Sequence, residues 1–167
     1  MTLRELNTIP KQQLQEELTK CCGSSAWVNK MLPFFPADDL VELLEDAEEQ
    51  WFKCSEEDWK EAFAQHPKIG DLESLQKKSA STAEWASGEQ AGVNSASKQT
   101  IEALAETNKK YEEKFGYIFI ICAAEKSADE MLAILQNRLQ NSAEVEIEIA
   151  ADEQNKITKQ RIEKLLE

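Results

Sequence analysis

Apolar residues recur at helical spacing along most of the chain, with polar residues filling the remaining faces. Residues before Pro10 read as a short turn; after it, Leu14, Leu18 and Cys21-Cys22 keep a helical period until Gly23 stops the run. Ser24 or Ser25 can cap a short helix carrying Trp27, Met31 and Leu32, which ends at Pro33 and the apolar corner Phe34-Phe35-Pro36. From Asp38, the residues Leu40, Leu43, Leu44, Ala47 and Trp51 fall on one face of an amphipathic helix. Its acids Glu42, Glu45, Asp46, Glu48 and Glu49 are expected to form the solvated face. Ser55 and Asp58 open another helix, on which Trp59, Ala62, Phe63 and His66 share a stripe.

Beyond Gly70 the pattern weakens. Residues 71–78 read as a short helix, and Ser81 or Thr82 can cap another running through Trp85 toward Glu89, flanked by loops. From Ser97 a long helix carries Ile101, Leu104, Ala105, Asn108, Tyr111 and Phe115, closed by Gly116. The apolar run 117–124 has no second strand to pair with and is expected to be buried, extended to helical. Ser127 and Glu130 make a capping box for a helix with Met131, Leu132, Ile134, Leu135 and Leu139. Ser142 starts the last helix. Its opening Val145-Glu-Ile-Glu-Ile149 alternates with period two, but the flanks favour helix. There Ile147, Ala150, Gln154, Ile157, Arg161 and Leu165 share a face, which turns Arg161 inward. The fold class is all-α, a single-domain bundle of about seven to nine helices over residues 1–167.

Composition agrees. Five glycines and four prolines leave little turn chemistry for hairpins, and 41% hydrophobic residues suffice for a core. A net charge of −13 argues against nucleic acid and anionic membranes as partners. Cys21, Cys22, Cys54 and Cys122 lack zinc-ligand spacing and read as reduced, packed thiols, so no metal site is expected. Neither a leader segment nor an apolar run of about 18 residues is apparent, and a soluble cytoplasmic protein is expected.

Three polar placements carry potential chemistry. His66 is the sole histidine, so it alone offers an unperturbed pKa near neutrality. Pro67 pushes it toward extended backbone, which ends the arriving helix at His66. Glu89-Gln90 lies between Gly88 and Gly92, and Arg161 faces inward. Brought together, an imidazole, a carboxylate and a guanidinium make a proton-transfer site with an anion clamp. Pattern alone also allows a structural histidine, a solvated acid and a snorkelling arginine, which leaves an acidic helical domain.

The strings His66-Pro67-Lys68-Ile69-Gly70-Asp71, Glu89-Gln90-Ala91-Gly92, Tyr111 to Cys122 with its Phe115-Gly116 pair, and Lys156-Ile157 with Arg161-Ile162 resemble, in that order, the OHCU decarboxylases. These enzymes act on 2-oxo-4-hydroxy-4-carboxy-5-ureidoimidazoline in urate breakdown. The resemblance runs from about Leu3 to Leu166. It implies an all-helical enzyme, commonly a homodimer, that needs no cofactor and releases CO2 from this small-molecule substrate to give (S)-allantoin. By motif, His66 is the implied acid-base group beside Pro67 in the pocket wall, and Glu89 and Gln90 contact the ring and ureido group. The backbone of Ile118, Phe119, Ile120, Ile121 and Cys122 hydrogen-bonds substrate, and Arg161 binds a carboxylate or ring carbonyl. Where members often carry a serine three residues before the glutamate, this chain has Ala86 with Ser87 beside it, which makes Ser87 the candidate serine contact. Ile118 stands where many have proline.

Two other classes compete. A non-catalytic helical interaction module has no need of His66, Glu89 and Arg161 together, and a carboxylate-based amide hydrolase needs a second inward acid near His66 that no stretch supplies.

Overall fold

The structure is a computed structural model that describes residues 1–69 and 97–167. These residues form eight α-helices and one short 3-10 turn, with no strand among them: α1 Leu3–Leu6, α2 Lys11–Cys21, α3 Ser25–Met31, the turn Leu32–Phe34, α4 Leu40–Phe52, α5 Glu56–Ala64, α6 Lys98–Phe115, α7 Ala128–Arg138 and α8 Ala143–Leu165. The helices expected over 71–78 and 82–89 lie outside the described residues. The chain forms two compact units, Met1–Ala62 with Gln154–Glu167, and Phe63–Glu153.

In the first unit, the opening turn is a helix: Thr2 and Glu5 form a capping box for α1, whose Leu6 is buried. Asn7 holds both backbone groups of Ala37, accepting from its N–H at 2.9 Å and donating to its carbonyl at 2.8 Å. Of the two serines, Ser24 caps α3, its hydroxyl accepting from the Trp27 N–H. Trp27 and Trp51 are almost wholly buried, and Trp27 Nε1 donates to the Ala47 carbonyl at 2.9 Å. The inward stripe of α4 is Leu43, Ala47, Gln50 and Trp51, with Leu40 and Leu44 only half-buried. One of its acids is not simply solvated: Glu48 accepts from Asn155 at 2.9 Å and pairs with Lys159, both on α8.

In the second unit, α6 and α7 pack together. Leu104, Asn108 and Tyr111 form the buried stripe of α6, while Ala105, expected inward, is exposed. Gly116 ends α6 at φ +82°, and an added Cβ there meets no atom within 4 Å, so glycine is needed for the backbone conformation rather than for space. The run after it forms no regular element and is buried. Ser127 caps α7, where Met131, Leu135 and Arg138 are buried, and Leu132, Ile134 and Leu139 are half-buried.

The period-two stretch 145–149 is helical, as its flanks suggested. Along α8, Ile147, Ala150, Gln154, Ile157, Arg161 and Leu165 are all buried. No helix among the described residues is long and apolar enough to cross a membrane.

Leu135 is fully buried on α7. Leu135→Ala should lower the unfolding free energy by about 2–5 kcal/mol, read from urea denaturation; a loss under about 1 kcal/mol would show that the helices close over the cavity.

Candidate active site

The corner after α5 is built by backbone chemistry. The helix ends at Ala64, two residues before the histidine, because Pro67 disfavours helical backbone at His66. The His66 N–H donates to the Phe63 carbonyl at 3.2 Å, and its side chain is inward, with the residue 8% exposed. Two links fasten the corner to α6. Asn108 Nδ2 donates to the Ile69 carbonyl at 3.1 Å, and Lys68 pairs with Glu112 at 3.0 Å. Pro67, between His66 and Lys68, is half-buried.

The same unit holds the segment from Tyr117 to Cys122. Phe63, on the stripe leading to His66, has its ring 5.3 Å from that of Tyr117. Tyr111 in turn contacts Tyr117 and Phe119 edge-on, at 6.0 and 5.4 Å between centroids. This aromatic cluster ties the histidine corner and the apolar segment to one helix. Ile118 is half-buried, whereas Phe119, Ile120, Ile121 and Cys122 are buried.

Beneath the segment lies a charge cluster that sequence reasoning missed. Glu146 has no solvent exposure. It accepts from Tyr111 Oη at 2.5 Å, Arg138 Nε at 2.7 Å and Asn141 Nδ2 at 3.0 Å. The guanidinium also donates from Nη1 to the Ile120 carbonyl at 2.7 Å, with Cζ 4.6 Å from the centre of the Phe119 ring. Burial and the bond to Glu146 push the Tyr111 phenol well above its ordinary range, so it stays a neutral donor. A signal existed: Met131, Leu135 and Arg138 stand at i, i+4 and i+7 on α7.

Arg161 belongs to the other unit, 6% exposed, with Nη1 donating to the Lys20 carbonyl at 3.1 Å. The inward placement read from α8 is therefore correct. Cys21, Cys22 and Cys54 lie in this unit. Burial pushes Cys21 and Cys22 up to about 12 and Cys54 to about 11, with Arg161 opposing the rise for the first two. These are neutral packing groups rather than nucleophiles. Ser87, Glu89 and Gln90 lie outside the described residues. Among the described residues, no three His, Cys, Asp or Glu side chains are grouped to hold a metal ion.

The family model for OHCU decarboxylases matches residues 7–163. The chain belongs to the OHCU decarboxylase family. It is 39% identical over 152 residues to the uric acid degradation bifunctional protein TTL of Arabidopsis thaliana, a match covering 90% of this chain but 47% of that one. The chain thus spans about half the length of that relative. It is 26% identical over 166 residues to a 2-oxo-4-hydroxy-4-carboxy-5-ureidoimidazoline decarboxylase of Haloferax volcanii, covering 97% of this chain and 94% of the relative. Among solved structures, an OHCU decarboxylase crystallised in the presence of (S)-allantoin matches with a TM-score of 0.76 and 38% identity, over 90% of this chain and 97% of the other. An (S)-allantoin synthase shares the fold alone, with a TM-score of 0.72 at 17% identity, over 98% of this chain and 54% of that one.

Native OHCU-family protein of this sequence should resist iodoacetamide at Cys21, Cys22 and Cys54 at pH 8, and mass spectrometry should find all three alkylated after denaturation. Above pH 9 the unfolded thiols ionise while the folded ones keep their protons until about 11–12, so these groups make stability fall as pH rises through that window. A melting temperature that rises between pH 8.5 and 10.5 would contradict this burial.

Proposed function

We propose that this chain decarboxylates 2-oxo-4-hydroxy-4-carboxy-5-ureidoimidazoline to (S)-allantoin without a cofactor, with residues 1–167 acting as one domain. The observation that carries the reading is the family match across residues 7–163 in a chain whose lone histidine is held inward beside a proline. The 38% identity to an OHCU decarboxylase crystallised with (S)-allantoin adds support.

The substrate carries its own electron sink. Its carboxylate leaves a carbon that bears a hydroxyl and adjoins a C=N bond, so the bonding pair released with CO2 moves toward the ring nitrogen and leaves an enol-like intermediate. A proton then goes to the neighbouring carbon that bears the ureido group, and the hydroxyl becomes the ring carbonyl. Protonation from one face sets the S configuration. The protein has to orient the carboxylate, hydrogen-bond the developing intermediate and deliver that proton.

In this reading His66 moves the proton, Glu89 polarises its imidazole and with Gln90 contacts the ring and ureido group, and Ser87 is the candidate serine contact. Pro67 walls the pocket, the backbone from Ile118 to Cys122 hydrogen-bonds the ligand, and Arg161 binds an anionic or carbonyl oxygen. In a chain of charge −13, an anionic substrate needs inward cations to offset a repulsive field, which agrees with the burial of Arg161. Cys21, Cys22 and Cys54, none of them in a disulfide, suit a reducing compartment, and we read the protein as cytoplasmic; a homodimer follows from the family resemblance. The competing reading, a non-catalytic interaction module, gains no support from a histidine and an arginine both held inward.

The substrate is best generated from urate in situ while optical rotation is followed. The protein should accelerate formation of S-enriched allantoin, and equal rates without an S excess would remove the assignment. His66→Ala should cut the rate by about 10²–10⁴-fold while the far-UV circular dichroism stays unchanged; a near-normal rate would assign the proton to another group. Arg161→Gln should raise KM roughly 10–100-fold through loss of a charge-assisted contact, and an unchanged KM would take Arg161 out of substrate binding.

A further inference from the structure

Asn108 is a short amide on the buried stripe of α6. It stands between Leu104 and Tyr111, both without solvent exposure, and is itself buried. A leucine would fill that position and need no partner, whereas a buried amide has to find its hydrogen bonds. Asn108 bonds outside its own helix: Nδ2 donates to the Ile69 carbonyl at 3.1 Å, three residues beyond the lone histidine. One turn further along α6, Glu112 pairs with Lys68 at 3.0 Å. Two consecutive residues of the corner are thus gripped from positions about 6 Å apart on one helix face. On the other flank the His66 N–H is tied to the Phe63 carbonyl, and Pro67 has a ring-fixed φ between the two sets of ties. A single tie sets a distance. Ties on both flanks of His66 also set the direction in which its Cα–Cβ bond points.

We propose that Asn108 is a positioning residue for the decarboxylase reaction, with Glu112 as its second point of hold. By fixing the residues after Pro67, the pair aims the His66 imidazole at the carbon that takes the proton. The inference rests on the decarboxylase reading and gives α6 a part in proton delivery without any contact with substrate. Because the grip acts on the backbone that carries the histidine, its loss slows the proton step and leaves in place the substrate binding that the reading assigns to other residues.

Asn108→Leu keeps the size of the side chain and removes its donor. The readouts are kcat and KM with substrate generated in situ, (S)-allantoin affinity and stoichiometry by calorimetry, and the His66 imidazole resonances by NMR, which are unambiguous because the chain has one histidine. In the folded variant kcat should fall about 10–100-fold and the imidazole resonances should shift, while KM, Kd and binding stoichiometry stay within about twofold of wild type. A kcat within about twofold of wild type with unshifted resonances would overturn the assignment. So would a fall in kcat matched by an equal fall in binding stoichiometry, since that reports lost folded protein and a merely structural amide.

Glu112→Gln decides the matter if Asn108→Leu does not fold, because Glu112 is partly exposed and lies off the buried stripe. Loosening the grip should lower kcat about threefold at unchanged KM. An acid that acted only through its charge would instead repel an anionic substrate, so a lower KM at unchanged kcat would overturn the proposal. A wild-type protein that accelerates nothing would defeat the decarboxylase reading itself, while the NMR shift in Asn108→Leu still reports whether the amide holds the histidine, so the two failures are distinguishable.

Discussion

A carboxylate with no exposure to water must be neutralised where it lies, and Glu146 sets that requirement for the second unit. It is met by donors from three places: a phenol on α6, a guanidinium on α7 and an amide in the connection to α8. Each of these elements is thereby held relative to one pair of oxygens. Such a cluster is costly to desolvate and is tolerated only when nearly every bond is made, so it admits few alternative packings. The same guanidinium donates from Nη1 to the Ile120 carbonyl, in the segment the family resemblance assigns to substrate.

The histidine corner depends on α6 as well, through the same face that carries Tyr111. Asn108 and Glu112 hold the residues just after His66, while Tyr111 supports the aromatic contacts of Tyr117 and Phe119. Helix α6 is thus a common mount: its buried stripe includes Asn108, a polar residue that closes a backbone bond instead of filling space. Under the proposed decarboxylation, placing these segments against one helix limits their excursions, which suits proton delivery to one face of a planar ring.

The electrostatics have a consistent direction. The chain carries −13 overall, yet Arg138 and Arg161 are both turned inward and both donate to backbone carbonyls. Acids such as Glu42, Glu45 and Glu49 lie on the exposed face of α4. Sorting charge this way keeps the surface soluble while leaving cations at interior positions, where a lower dielectric strengthens their interactions. The buried thiols fit the same economy of roles, being protonated fillers whose burial holds them neutral.

Much of this was legible in the sequence. The stripe of α8, the Ser97 and Ser127 caps, the Gly116 stop and the inward Arg161 all follow from residues a few positions apart, because helix period and capping are local. The order of short motifs also identified the family and its candidate residues without coordinates. Three features could not be read that way: the helical turn before Pro10, the exposure of Ala105, and the burial of Glu146 with Arg138. The last has a clear reason. An acid in an alternating stretch and a cation late in another helix look like solvated residues until tertiary packing puts them 2.6 Å apart, since a charge is allowed inside only by the partner that folding brings to it.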